Sequence, residues 1–152
     1  MSLTPRQKTL IQDSFAKVEP IADQAAAIFY NKLFEYDPSL KPLFKSDISE
    51  QGKKLMAALK LAVKSLDELD KLVPVLQTMA AKHVTYGVKV EDYTPVGNAL
   101  IFALKTGLGA EFTPELKNAW VTVYRVMADV MRSHAYPDFD AELFVNRKQY
   151  RR

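Results

Sequence analysis

Apolar side chains recur every three or four residues along most of this chain, and that spacing is typical of amphipathic α-helices. No stretch shows the alternation of apolar and polar residues that a half-buried strand requires. Glycine is rare, at 5 of 152 residues, and most of the 8 prolines stand where an apolar stripe begins, as in Thr4-Pro5 and Thr113-Pro114. The sequence therefore predicts an all-α protein.

Capping signals divide the apolar stripes into separate helices. Thr4, Pro5 and Gln7 predict the start of the first helix, and Asp47 with Glu50 predicts the start of a later one. Pro74 restricts where the helix that carries His83 begins. We expect one short helix at Leu40 to Phe44 and six substantial helices, which contain the stripes Ile11 to Val18, Ile21 to Leu33, Gln51 to Ala62, Leu69 to His83, Tyr93 to Leu104 and Leu116 to Met131.

The chain has the length of one ordinary domain, with no internal repeat and no linker. Because the Tyr136-Pro137 step ends the helical pattern, we expect one domain over residues 1–135 and a flexible tail over 136–152. Four cations cluster near the end of this tail: Arg147, Lys148, Arg151 and Arg152. They are either a solvated terminus or a contact with an anionic partner. Elsewhere the net charge of +3 is interspersed with acids, which does not indicate a nucleic-acid surface.

Composition excludes several kinds of site and compartment. The chain has no cysteine, which excludes disulfides, thiolate nucleophiles, iron–sulfur clusters and Cys-ligated zinc. There is no glycine-rich phosphate loop, HExxH or Gly-x-Ser-x-Gly motif. No apolar run is long enough to span a membrane, and the N-terminus has no signal-peptide pattern. We therefore expect a cytoplasmic protein.

Four polar residues deserve individual interpretation. His83 lies on an apolar helix face behind Leu76 and Met79, where it is either a hydrogen-bonded core residue or a metal ligand. Gln51 heads an apolar stripe, so its amide reaches either solvent or a pocket. Tyr30 stands beside core residues and needs a hydrogen-bond partner, either within the core or in a ligand pocket. His134, near the end of the last helix, is expected to be structural or exposed.

Several segments of the chain form a recognisable series: Phe29-Tyr30-Asn31-Lys32-Leu33-Phe34, Asp37-Pro38, Lys41-Pro42-Leu43-Phe44, Glu50-Gln51-Gly52-Lys53-Lys54-Leu55, Ala81-Lys82-His83-Val84, Tyr86-Gly87-Val88, Asp92-Tyr93-Thr94-Pro95-Val96-Gly97 and Ala119-Trp120-Val121-Thr122-Val123-Tyr124. In this order they resemble the bacterial globins, especially single-domain haemoglobins and the globin domains of flavohaemoglobins. The resemblance covers about residues 3 to 134 and implies a globin fold around haem b.

The resemblance also assigns roles to individual residues. It implies that His83 is the proximal iron ligand and that Phe44 packs on the haem face. Tyr30, Gln51 and Leu55 correspond to the residues on the distal side, next to the gas ligand. Lys54 corresponds to a cation that pairs with a haem propionate. The remaining residues of the implied haem pocket are Leu76, Met79, Val88, Tyr93 and Val96.

The function implied by this resemblance is reversible binding of dioxygen and other diatomic gases such as CO and NO, with high oxygen affinity. Two alternatives stay open: a nitric oxide dioxygenase that works with a separate reductase, and a gas or redox sensor. In flavohaemoglobins a glutamate on the last helix joins the proximal histidine and tyrosine, whereas this chain has Ala135 at that position. No reductase module follows within the 152 residues, so dioxygenase turnover would need a separate electron donor.

Overall fold

The computed structural model describes residues 3–44, 47–136 and 138–140. Within these residues the chain forms six α-helices and no β-strand. The helices are α1 (Pro5–Val18), α2 (Ala22–Tyr36), α3 (Ile48–Lys64), α4 (Leu69–Thr85), α5 (Tyr93–Leu108) and α6 (Pro114–Ala135). The predicted short helix is a 3-10 helix over Pro38–Leu43. The prediction of an all-α fold with six substantial helices is confirmed, whereas the four tail cations lie outside the described residues.

The predicted helix starts are formed by side-chain caps. The Thr4 hydroxyl accepts from the Gln7 backbone N–H at 3.1 Å, and the Gln7 side chain accepts from the Thr4 N–H at 3.0 Å. The Asp47 carboxylate accepts a hydrogen bond from the Ser49 N–H at 3.1 Å and so caps the start of α3. The donor is thus the residue before Glu50, the predicted capping partner. Helix α4 begins at Leu69 and includes Pro74. Proline has no backbone N–H, so the carbonyl one turn earlier loses its helical partner. Pro74 lies at an exposed position, where water can take that place.

Helix α2 is the centre of the packing, because it contacts both α3 and α5, while α4 packs on α6. The crossing of α2 and α3 is very close at Gly52. A Cβ atom at this position would lie 2.9 Å from the Cβ of Ala26, which is closer than two such atoms approach in proteins. Glycine at this position therefore sets the distance between the two helices.

Two clusters of buried side chains form the core. The larger joins α1, α2, α5 and α6, with the Phe15 and Trp120 ring centroids 6.5 Å apart and the Trp120 indole N–H donating to the buried Ser14 hydroxyl at 3.0 Å. The smaller joins α4 to α6 and includes Leu72, Leu76 and Met131. Members of both clusters line one cavity, so the interior is divided by an open space. None of the described helices is both long and apolar enough to cross a membrane.

Candidate functional site

A cavity of about 530 Å³ lies between the two core clusters. Its walls come from helices α2 to α6 and from the 3-10 helix over Pro38–Leu43. Leucine, methionine, valine and aromatic side chains make up most of the lining. A cavity of this size with mainly apolar walls suits a bulky apolar cofactor rather than a small polar metabolite.

Every residue that the sequence analysis assigned to a cofactor or ligand site lines this one cavity. The set comprises Tyr30, Phe44, Gln51, Lys54, Leu55, Leu76, Met79, His83, Val88, Tyr93 and Val96. They come from four different helices and two connecting segments, so only the tertiary fold brings them together. His134 is exposed near the end of α6, in agreement with its expected role.

His83 is half-buried on α4, and its ring has a defined orientation. Its Nδ1 lies 2.6 Å from the Met79 carbonyl oxygen one turn earlier. A carbonyl only accepts hydrogen bonds, so Nδ1 carries the proton and Nε2 keeps its lone pair. Burial lowers the pKa of His83, which keeps the imidazole neutral, although the hydrogen bond to Met79 opposes this effect. A neutral imidazole held in this tautomer is able to bind a metal through Nε2.

Tyr30 also lines the cavity, and it lies within an aromatic group. Its ring centroid lies 4.9 Å from that of Phe29 and 5.4 Å from that of Phe44, each in an edge-on arrangement. Burial raises the pKa of Tyr30 to about 12, so the phenol keeps its proton. That proton is donated to the backbone carbonyl of Gln51 at 3.1 Å. A hydrogen bond from Tyr30 to a ligand in the cavity therefore requires the hydroxyl to rotate away from this carbonyl.

The mouth of the cavity combines exposed apolar side chains with cations. Leu61, Val75 and Tyr86 line the cavity and yet are exposed, Tyr86 by 50%. Lys54 and Lys82 are also exposed and line the same cavity. An elongated ligand with an apolar body and an acidic edge would cover the apolar side chains and place its acids beside the lysines.

The Tyr93 hydroxyl supplies a second indication that the cavity holds a ligand. It is buried and has no hydrogen-bond partner among the described residues. Burial is also the main reason that the pKa of Tyr93 is raised. The Tyr93 ring lies 6.5 Å from the His83 ring, centroid to centroid. A buried hydroxyl without a partner is costly, so a group bound in this cavity is the natural source of one.

The sequence analysis missed Arg132, which lies on α6 behind Tyr93. Arg132 is only 8% exposed, and its guanidinium lies 5.3 Å from the centroid of the Tyr93 ring. One signal was available in the sequence: Arg132 is one helical turn from Ala128 and from Ala135, on a face that the apolar pattern places inside. Ala135 itself is half-buried and packs against the smaller core cluster.

These features define a class of protein: an all-helical domain in which a neutral, oriented histidine faces a large apolar cavity with a basic mouth. The model of the family described as Globin matches residues 27–131. The chain belongs to the globin family, and globins bind haem. The oriented His83 and the apolar walls fit this cofactor.

Relatives of two different lengths are similar to this chain. Neuroglobin from Danio rerio is 29% identical over 143 residues, a match covering 85% of this chain and 90% of that protein. A Flavohemoprotein from Bordetella parapertussis is 29% identical over 132 residues, covering 85% of this chain and 33% of that protein. The chain thus spans about a third of the length of the flavohemoproteins that it matches.

A solved structure is also similar over most of its length. It is described as an engineered carbene transferase, "putative nitric oxide dioxygenase from Rhodothermus marinus", and is 26% identical in sequence. The two structures agree with a TM-score of 0.81 over 90% of this chain and 95% of that chain.

Proposed function

We propose that this protein binds haem b with the iron on His83 and binds dioxygen and other diatomic gases reversibly. Haem iron supplies the open coordination position that such gases occupy. The observation that carries the proposal is the orientation of His83, whose Nδ1 donates to Met79 and whose Nε2 lone pair is left for a metal within a 530 Å³ apolar cavity. Residues 1–135 form the haem-binding domain in this proposal.

The proximal side holds His83 neutral and screens it from water. Met79 and Leu76 lie one and two turns before His83 on α4, and Val88, Tyr93 and Val96 also line the cavity. Because these side chains are mostly apolar, protonation of the imidazole is unfavourable and the ligand nitrogen stays available. The Met79 carbonyl fixes which nitrogen carries the proton.

The distal side controls the gas. Leu55 and Phe44 provide apolar contacts, while Tyr30 and Gln51 line the cavity and carry groups that donate hydrogen bonds, Tyr30 once its hydroxyl rotates away from the Gln51 carbonyl. A donor near a gas that accepts negative charge slows its release, which is the basis of our proposal of high oxygen affinity. Lys54, exposed at the mouth, pairs with a haem propionate in this scheme.

Absorption spectra test this proposal directly. The purified protein is reconstituted with haem b, reduced with dithionite, and then exposed to carbon monoxide. We expect a Soret band that shifts on reduction and again with carbon monoxide. His83→Ala is expected to lose this response and to regain it when imidazole is supplied. His134→Ala is the matched control, because that histidine is exposed and does not line the cavity. A wild-type spectrum without a Soret band would refute haem binding.

The similarity to the Rhodothermus marinus structure favours a second candidate, nitric oxide dioxygenase activity. In this role the protein would work with a separate reductase that supplies electrons. Consumption of nitric oxide under air, measured with and without an added reductase, separates the two functions. Sustained turnover that requires the reductase supports the enzyme, whereas a single turnover per protein in both cases supports the oxygen-binding role.

A further inference from the structure

The segment that follows His83 is held by side chains from the end of α6. Within this segment the Val88 N–H donates to the His83 carbonyl at 3.0 Å, which ties the chain back to the end of α4. The Tyr136 hydroxyl donates to the Val88 carbonyl. We call residues 86–94 the proximal corner, because they connect His83 to the start of α5.

Arg132 contacts the proximal corner at several points. Its Nε donates to the Val90 carbonyl at 2.9 Å, and its Nη2 donates to the Thr94 hydroxyl at 3.2 Å. The guanidinium also lies 5.3 Å from the centroid of the Tyr93 ring and 5.7 Å from that of Phe139. A planar guanidinium that donates in two directions while stacking on a ring fixes several groups at once, which a lysine does not do.

Tyr93 connects these contacts to the histidine. Its ring neighbours both groups: the Arg132 guanidinium lies 5.3 Å from the Tyr93 centroid, and the His83 centroid lies 6.5 Å from it. A change at Arg132 therefore acts on a ring that also neighbours the imidazole. The Tyr93 hydroxyl has no partner among the described residues, so no hydrogen bond from that hydroxyl to this part of the chain fixes the ring.

We propose that Arg132 is a positioning residue for the iron-binding histidine: it fixes the proximal corner and the Tyr93 ring, and through them the rotation of the His83 imidazole. This inference rests on the proposed function, since it concerns how the haem iron is held. A buried cation on α6 thus supports the tyrosine that neighbours the histidine.

The test is the iron–histidine stretching line in the resonance Raman spectrum of the reduced, haem-loaded protein. Arg132→Met keeps most of the side-chain volume but removes the donors, and we expect the line to shift and broaden. We also expect haem to transfer to an excess of a haem-free acceptor protein roughly 10- to 100-fold faster, the usual cost of removing a group that supports a metal ligand. Arg132→Lys is expected to bring the line position and the rate of haem loss only part of the way back to the wild-type values. A lysine keeps the charge but lacks the planar guanidinium that donates in two directions.

Arg125→Met is the matched control, because Arg125 is exposed on the same helix and does not line the cavity. Its line position and rate of haem loss are expected to equal those of the wild type. An Arg132→Met protein with a lowered melting temperature but an unchanged line and unchanged haem loss would overturn the proposal. If Arg132→Met does not fold, Arg132→Lys and Thr94→Val, which removes one acceptor, decide by the same two readouts.

The wild-type protein separates this inference from the proposed function. A wild-type iron–histidine line that is lost in His83→Ala establishes the histidine as the ligand, independently of Arg132. If that line is present and the Arg132 variants match the wild type, the inference fails and the proposed function stands. If the wild type has no such line, haem ligation by His83 fails and the inference fails with it.

Discussion

Replacing Tyr30 by phenylalanine measures how much the distal phenol contributes to oxygen retention. The change removes one hydroxyl and leaves the ring, whose contacts with Phe29 and Phe44 are edge-on and apolar. The pKa of Tyr30 is about 12, so the hydroxyl is a proton donor at any pH used to measure oxygen release. Tyr30→Phe therefore isolates the hydrogen bond from the packing.

The magnitude depends on the existing hydrogen bond of Tyr30. A hydrogen bond to a partner that carries charge contributes about 1.5–3 kcal/mol, whereas an ordinary neutral bond contributes about 0.5–1.5 kcal/mol. Tyr30 has a single proton, so donating to a ligand means giving up the 3.1 Å bond to the Gln51 carbonyl. The net gain is the difference, about 1 kcal/mol, which corresponds to roughly a fivefold change in rate.

We therefore expect Tyr30→Phe to release oxygen roughly fivefold faster than the wild type, and carbon monoxide with a smaller change because it accepts less charge. Stopped-flow mixing of the oxygenated protein with excess carbon monoxide measures the oxygen dissociation rate. Tyr36→Phe is the matched control: the same chemical change on the same helix, at a side chain that does not line the cavity. An oxygen dissociation rate in Tyr30→Phe equal to that of the control would refute this account of the pocket.

Two further predictions concern stability. Gly52→Ala places a Cβ atom 2.9 Å from that of Ala26, so we expect the free energy of unfolding in urea to fall by about 1–3 kcal/mol. Gly107→Ala is the control: its Cβ meets only the flexible end of Ile21 at 3.3 Å and should change stability far less. Equal losses in the two variants would contradict the close-packing argument. Burial raises the pKa of Tyr30 from 10.0 to about 12, so the unfolded chain loses this proton first and the free energy of unfolding should fall as the pH rises between those values. Tyr30→Phe should flatten that dependence, and an unchanged slope would show that the phenol titrates as it does in water.

Much of the fold follows from patterns among residues that are close together in the sequence. The Thr4 cap and the six apolar stripes predict helices because they depend on residues one turn apart. Pro74 is an exception: in the sequence it restricts where α4 can start, whereas the helix begins at Leu69 and includes Pro74 at an exposed position.

The site was harder to predict than the helices, because it depends on contacts between distant segments. The spacing around His83 left both a core role and a ligand role open, and resemblance to a family was needed to choose. Nothing in the sequence indicated that Tyr30 donates its proton to the Gln51 backbone, since the crossing of α2 and α3 produces that contact. The sequence did not identify Arg132 as a site residue, because a single arginine near a helix end normally reaches solvent.

The divided interior makes the amount of folded protein depend on cofactor supply. The two core clusters both line a cavity of about 530 Å³, so they bury less surface against one another than a continuous core would. A cofactor that fills the gap binds only the folded chain, and at a thousand times its dissociation constant it adds about 4 kcal/mol to stability. Proteases remove unfolded chains faster than folded ones, so on the proposed function we expect a cell short of haem to keep less of this protein.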